Sequence, residues 1–162
     1  MEEATSFATY RGGETPPDMR LTILLVLVAR RWRTILDEKL RPTGQSSARM
    51  EALSAILNSP DRSAQVEIAK RLRIEGPTLT RMIDTLEKDG LVTRMPDPAD
   101  RRSKLLKLTQ EGEETLHDIF NLADTYRARL LDGVPAEDKA AVSRFLTGLL
   151  DRLDTGLPGD DA

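Results

Sequence analysis

The stretch DPADRRSKLLKLT, residues 97–109, gathers Arg101, Arg102, Lys104 and Lys107 directly behind Asp97 and Asp100. Guanidinium and ammonium groups at this density suit phosphate oxygens, or the negative potential of a narrow nucleic-acid groove. Pro96, Pro98 and Asp97 favour a turn, and a loop of this length between two short apolar runs projects its tip into solvent. From that tip Arg101 or Arg102 can enter a minor groove. Phosphates repel the two aspartates, so their expected role is internal: Asp97 and Asp100 pair with one arginine and brace it, while the other points outward.

A second set lies upstream in PTLTRMIDTLEKDG, where Leu79, Met82, Ile83 and Leu86 fall at i, i+3, i+4 and i+7 and share one helical face. The opposite face carries Thr78, Arg81, Asp84, Thr85 and Lys88. Arg81 can bond guanine O6 and N7 together, and Thr78 suits a phosphate or a thymine methyl. Thr78, Thr80, Arg81, Thr85, Lys88, Arg101, Arg102 and Lys104 form the expected nucleic-acid contact set. Arg81 could equally be a surface charge paired with Asp84 or Thr85, and the hairpin an ordinary solvated one. The hairpin's position directly behind the helix favours nucleic acid.

The chain as a whole is acidic: 162 residues with 24 Lys/Arg, 27 Asp/Glu and a formal net charge of −3. Its distribution is uneven. Arg62 to Lys107 holds eleven Lys/Arg against seven Asp/Glu, a local +4, which leaves −7 elsewhere. There is no cysteine, which excludes disulfides, thiolate catalysis and cysteine-bound zinc. With a single histidine, His117, no converging nucleophile, base or metal set can be assembled, so no enzyme, cofactor or metal site is expected. The longest apolar run, Ile23 to Ala29, is too short to span a bilayer, and the acidic N-terminus is unlike a leader. A cytoplasmic protein with no membrane partner is expected.

These side chains need a scaffold. Residues 1–17, with Gly12-Gly13 and Pro16-Pro17, lack periodicity and are expected to be a flexible arm. Asp18 is placed to cap a helix to about Leu40, whose Leu21, Leu24, Leu25, Val28, Trp32, Ile35 and Leu36 share one face while Ile23, Val26 and Leu27 add apolar surface elsewhere. Such a helix needs burial on several sides, which favours a second copy of the chain over a central core position. Ser46 or Ser47 opens a second helix, Ser63 precedes a third, and Gly76-Pro77 begins the amphipathic helix that Gly90 ends. LVTRM and KLLKL read as strands. Thr109 caps a long helix, and Pro135 with Glu137 starts the last. Helix, short helix, turn, amphipathic helix and basic hairpin in this order make a winged helix-turn-helix in a mainly α chain.

Residues 65–114, above all LTRMIDTLEKDGLVTR, DPADRRSKLLKLT and EGEE, resemble the MarR (multiple antibiotic resistance regulator) family of bacterial winged-helix repressors. The resemblance implies a homodimer whose helical dimerisation region is residues 18–45 and 110–153, a DNA-binding domain at 46–109, and a flexible tail at 154–162. It implies binding to a double-stranded, inverted-repeat operator, with Thr78 and Arg81 on the recognition helix, Arg101 at the wing tip, and Asp100 and Arg102 as the wing's bracing pair. It also implies release by a small-molecule effector, an aromatic carboxylate, phenol or acyl thioester. The candidates to line its pocket are Arg30, Trp32, Arg33, Met50, Phe120 and Tyr126. Gln45-Ser46 stands where many members have Leu-Thr, and Ala64 where a capping threonine is common. The alternative is a helical protein-interaction module without DNA binding, which would have no use for the basic wing.

Overall fold

The computed structural model describes residues 6–59, 64–100 and 103–157. Helix α1 (Ser6–Arg11) lies inside the stretch expected to be a flexible arm. It ends at the two glycines: Gly12 and Gly13 donate to the carbonyls of Thr9 and Tyr10, and Gly13 takes a φ of 90°. Helix α2 (Pro17–Leu40) begins one residue before Asp18, so Asp18 is not its cap. Pro17 opens it, with φ preset for a helix and no N–H left over, and Asp18 stands in the first turn, where the helix dipole favours a negative charge. Only the end of α2 is core. Leu36 and Leu40 are buried, whereas Leu21, Ile23, Leu24, Val26, Leu27 and Val28 are exposed, Val28 by 61%.

A short 3-10 turn (Arg41–Thr43) and Gly44 at φ 71° reverse the chain. Helix α3 (Ser47–Leu57) is capped by Ser46, whose hydroxyl accepts the Arg49 N–H at 3.2 Å. The Asp37 carboxylate accepts the Ser47 N–H at 2.7 Å and ties the end of α2 to the start of α3. Helix α4 (Gln65–Leu72) starts after Ala64 with no side-chain cap; Ser63, expected to precede it, is outside the described residues. Ala64 instead forms an antiparallel bridge to Leu105. Arg71 of α4 donates to the Asn58 carbonyl and Ser59 Oγ, both at 2.9 Å, and so satisfies the exposed end of α3.

Helix α5 (Gly76–Lys88) carries Pro77 in its first turn and buries Leu79, Ile83 and Leu86 completely. Its end is a Schellman motif: Leu91 N–H bonds the Leu86 carbonyl at 2.9 Å and Gly90 N–H bonds that of Glu87 at 3.0 Å, with Gly90 at φ 77°. Strands β1 (Val92–Pro96) and β2 (Lys104–Leu108) pair antiparallel from Val92↔Leu108 to Pro96↔Lys104.

Helix α6 (Gln110–Leu130) starts at a dense junction. The Thr109 N–H donates to the Leu91 carbonyl at 3.1 Å, its hydroxyl donates to the Gly90 carbonyl at 2.6 Å, and the same hydroxyl accepts the Gly112 N–H at 2.9 Å. Gly112 is buried against Leu91, where a Cβ would fall 2.0 Å from the Leu91 carbonyl oxygen. Beyond it Leu116, Ile119 and Ala123 enter the core with Leu36, Leu53, Ile56, Ile68, Ile83 and Leu106.

The chain forms two compact units, Met1–Asp124 and Thr125–Ala162. The second holds the last residues of α6, a turn with Gly133 at φ 70°, and helix α7 (Ala136–Thr155), which runs into the stretch expected to be a tail. No residue of α7 is buried, and Val142, Phe145, Leu150 and Leu153 are exposed. Gly112→Ala should force the α6–Leu91 junction apart, costing about 3 kcal/mol and lowering Tm by roughly 10 °C in thermal melts followed by circular dichroism.

Candidate nucleic-acid interface

Burying Leu79, Ile83 and Leu86 turns Thr78, Arg81, Thr85 and Lys88 to the exposed side of α5, where the sequence put them. Thr85 Oγ1 donates back to the Arg81 carbonyl at 3.1 Å. Thr80 is engaged twice within the lobe: its hydroxyl donates to the Gly76 carbonyl at 3.0 Å and accepts Nε2 of Gln65, on α4, at 2.7 Å. That bond crosses a groove of about 390 Å³ between α4 and α5, lined by Gln65, Val66, Lys70, Arg73 and Thr80. With their protons committed to the Gly76 and Arg81 carbonyls, Thr80 and Thr85 both have to give up an internal bond before donating to a base, and Thr80 would also have to release Gln65.

In the hairpin, Lys104 is exposed at the start of β2, opposite Pro96. Asp97 closes the turn from within, its carboxylate accepting the Ala99 N–H at 2.8 Å, and Ser103 N–H bonds the Asp100 carbonyl at 2.9 Å. Asp97 therefore orders the loop as an Asx turn. Arg101 and Arg102, expected at the wing tip and as the partners of Asp97 and Asp100, lie outside the described residues.

The sequence reading missed Arg94. Alternation along β1 turns it toward α5, where Nη2 meets Asp84 Oδ1 at 2.6 Å, Nη1 meets Glu87 Oε2 at 2.5 Å, and its backbone N–H meets Glu87 Oε1 at 3.3 Å. Burial opposes its charge, but the hydrogen bonds and attraction from Asp84 and Glu87 outweigh that and hold the guanidinium pKa above its ordinary value. The signal was present: Asp84 and Glu87, at i and i+3, form a two-carboxylate receptor, and Arg94 is the first cation after the helix turn. Asp84 thus pairs with the hairpin, and among the described residues the Arg81 guanidinium has no partner.

The cations sort into two groups. Arg94, Arg49 (with Asp89, 2.7 Å) and Arg71 are bound within the lobe. Among the described residues, no hydrogen-bond or ion-pair partner is recorded for Arg81, Lys88, Lys104 or Lys107. All four are exposed.

The expected effector residues are dispersed in character. Arg33 pairs with Glu51 at 2.6 Å, Trp32 and Met50 pack against the core, and Arg30 and Phe120 are exposed. Tyr126, in the Thr125–Ala162 unit, carries the Arg129 guanidinium 5.5 Å from its ring centre. A cleft of about 180 Å³ in the first unit is lined by Leu40, Thr43, Gln45, Thr115, Asp118, Ile119 and Leu122, none of them among the six. Among the described residues no helix is long and apolar enough to cross a membrane, and no group of three or more His, Cys, Asp or Glu could hold a metal ion.

Comparison with known proteins gives this geometry a family. The MarR family profile matches residues 46–104, which run from the cap of α3 to the start of β2. The transcriptional regulator PA3341 is 34% identical over 84% of this chain and 99% of its own, with a TM-score of 0.75. The reduced form of MarR from E. coli is 30% identical over 80% of this chain and 96% of its own, TM-score 0.69. A cysteine-to-serine variant of E. coli MarR in complex with operator DNA is 28% identical over 82% and 94%, TM-score 0.74. The chain belongs to the MarR family of winged-helix, DNA-binding transcriptional regulators.

Proposed function

We propose that this regulator is a homodimeric repressor that binds an inverted-repeat operator through α5 and the β1–β2 wing and is released by a small neutral effector. The observation that carries the reading is the sorting of cations among the described residues: Arg49 and Arg94 are neutralised within the lobe, and Arg81 and Lys88 on the outer side of α5 and Lys104 and Lys107 on β2 are unpaired and exposed. A major groove admits a helix of this kind, with Arg81 opposite a base edge and Lys88 near a phosphate, while Lys104 lies along the wing. The E. coli MarR variant solved in complex with operator DNA supports DNA as the partner.

The exposed apolar halves support a second copy as partner. Six exposed apolar residues on α2 and the unburied face of α7 are more than a stable monomer normally leaves in water. Two-fold pairing would set two recognition helices about one helical turn of DNA apart, ~10 bp between half-site centres. The cleft beside α6 bears on the effector. Its walls combine Leu40, Ile119 and Leu122 with Thr43, Thr115 and Gln45, and its one charged lining residue is Asp118. A carboxylate repels an aromatic acid and accepts a hydrogen bond from a phenol, so of the expected effector classes the phenol fits best.

Fluorescence anisotropy on a duplex that the protein selects from a randomised library tests the DNA reading. Arg81→Ala should cost about 1–3 kcal/mol of binding and relax the base preference at one position in each half-site. Lys88→Ala should weaken all duplexes alike and reduce the salt slope by about one contact. Unchanged binding by both variants would refute the placement of α5. Sedimentation velocity should show a dimer, and Leu24→Glu with Val28→Glu should shift it toward monomer; a compact folded parent monomer at micromolar concentration contradicts the pairing. In thermal-shift titrations, simple phenols should raise Tm while benzoate does not, and the reverse order would exclude the Asp118 cleft.

A further inference from the structure

Arg94 holds the recognition helix along one flank. Thr80, Asp84 and Glu87 follow one another at i, i+4 and i+7 on α5, and the Arg94 guanidinium reaches the Thr80 carbonyl at 3.5 Å, Asp84 Oδ1 at 2.6 Å and Glu87 Oε2 at 2.5 Å. It thus spans two turns of the helix from a strand of the wing. Its side chain is 19% exposed, while those of Asp84 and Glu87 are 59% and 41% exposed, so the contact lies at the margin of the face that carries Arg81. On the same flank Gln65 of α4 bonds Thr80 at 2.7 Å. The helix is therefore gripped along this flank by two groups, from β1 and from α4, that do not themselves point outward.

We propose that Arg94 is a positioning residue for operator selectivity: by clamping Asp84 and Glu87 it fixes the angle of α5 relative to the wing, so that both meet their grooves in register. The inference rests on the proposed placement of α5 against DNA. A planar guanidinium holds two carboxylates in a fixed fork, and an ammonium at the same place cannot. Binding to arbitrary sequence depends mainly on charge, whereas operator binding also depends on the orientation of the groups that meet base edges. Disturbing the clamp without changing charge should therefore act on selectivity and leave general affinity alone.

The experiment compares affinity for the library-selected duplex with that for a random-sequence duplex of equal length, by anisotropy at two salt concentrations, with circular dichroism to verify folding. Arg94→Lys keeps the charge; it should bind the random duplex within twofold of the parent and the selected duplex about tenfold more weakly. Asp84→Ala combined with Glu87→Ala removes the anchors and two negative charges. It should bind random DNA more tightly while its ratio of selected to random affinity falls. Arg81→Ala serves as the control for the placement of α5, and loss of binding there with a normal ratio in Arg94→Lys would refute the clamp alone. If the double alanine variant gains equally on both duplexes, the carboxylates act only as charges and the proposal is wrong. Should Arg94→Lys fail to fold, the double variant decides by the same ratio.

Discussion

Gly112 has no side chain, and for that reason the first turn of α6 can rest on the carbonyl of Leu91. Much of the lobe meets at this contact. Leu91 belongs to the Schellman turn that ends α5, it precedes β1, and its carbonyl takes the N–H of Thr109, which follows β2 and caps α6. The end of the amphipathic helix, the base of the hairpin and the start of the long helix are therefore joined through main-chain atoms and one threonine hydroxyl. Buried backbone polar groups need partners, and here each supplies the other's. The hydrophobic core beneath, from Leu36 to Ala123, then packs against elements whose relative positions are already set.

Above that joint, electrostatics divides the surface. The lobe carries an excess of cations, yet Arg49, Arg71 and Arg94 are used to tie α3, α4, α5 and β1 together. Each bond neutralises a charge or satisfies a helix end. Among the described residues of the lobe, the cations left positive and unengaged, Arg81, Lys88, Lys104 and Lys107, lie on the outer side of α5 and on β2. The acidic total of the chain is thus compatible with DNA binding, since steering depends on where charge lies and how far it is screened.

Most of the DNA-binding lobe was legible in the sequence because its signals are local. A 3.6-residue apolar period gave α5, a C′ glycine marked its end, and turn residues between two apolar runs marked the hairpin. What was not legible depends on long-range geometry. Arg94 was passed over because its partners lie on another element, and strand alternation had to be combined with the helix face to place it. The Asx turn that Asp97 makes with the Ala99 N–H is a local bond that an aspartate two residues upstream makes at almost no entropic cost. Asp18 lost the capping position to two prolines already shaped for a helix start. The short helix at Ser6–Arg11 has too few turns for periodicity to register. The effector residues rested on the family resemblance together with side-chain type, and neither foretold that Glu51 would take Arg33.

The junction at Thr109 and Gly112 consists of backbone contacts and one threonine hydroxyl, and so it is indifferent to what the outer side of α5 carries. Thr78, Arg81, Thr85 and Lys88 contribute neither core volume nor a bond between elements. Substitutions at such positions usually change stability by less than about 0.5 kcal/mol. The flank held by Arg94, by contrast, admits few exchanges. A scaffold divided in this way can acquire a new target sequence in single steps, with each intermediate still folded: the evolvability of the reading face is a by-product of keeping the joint in the main chain.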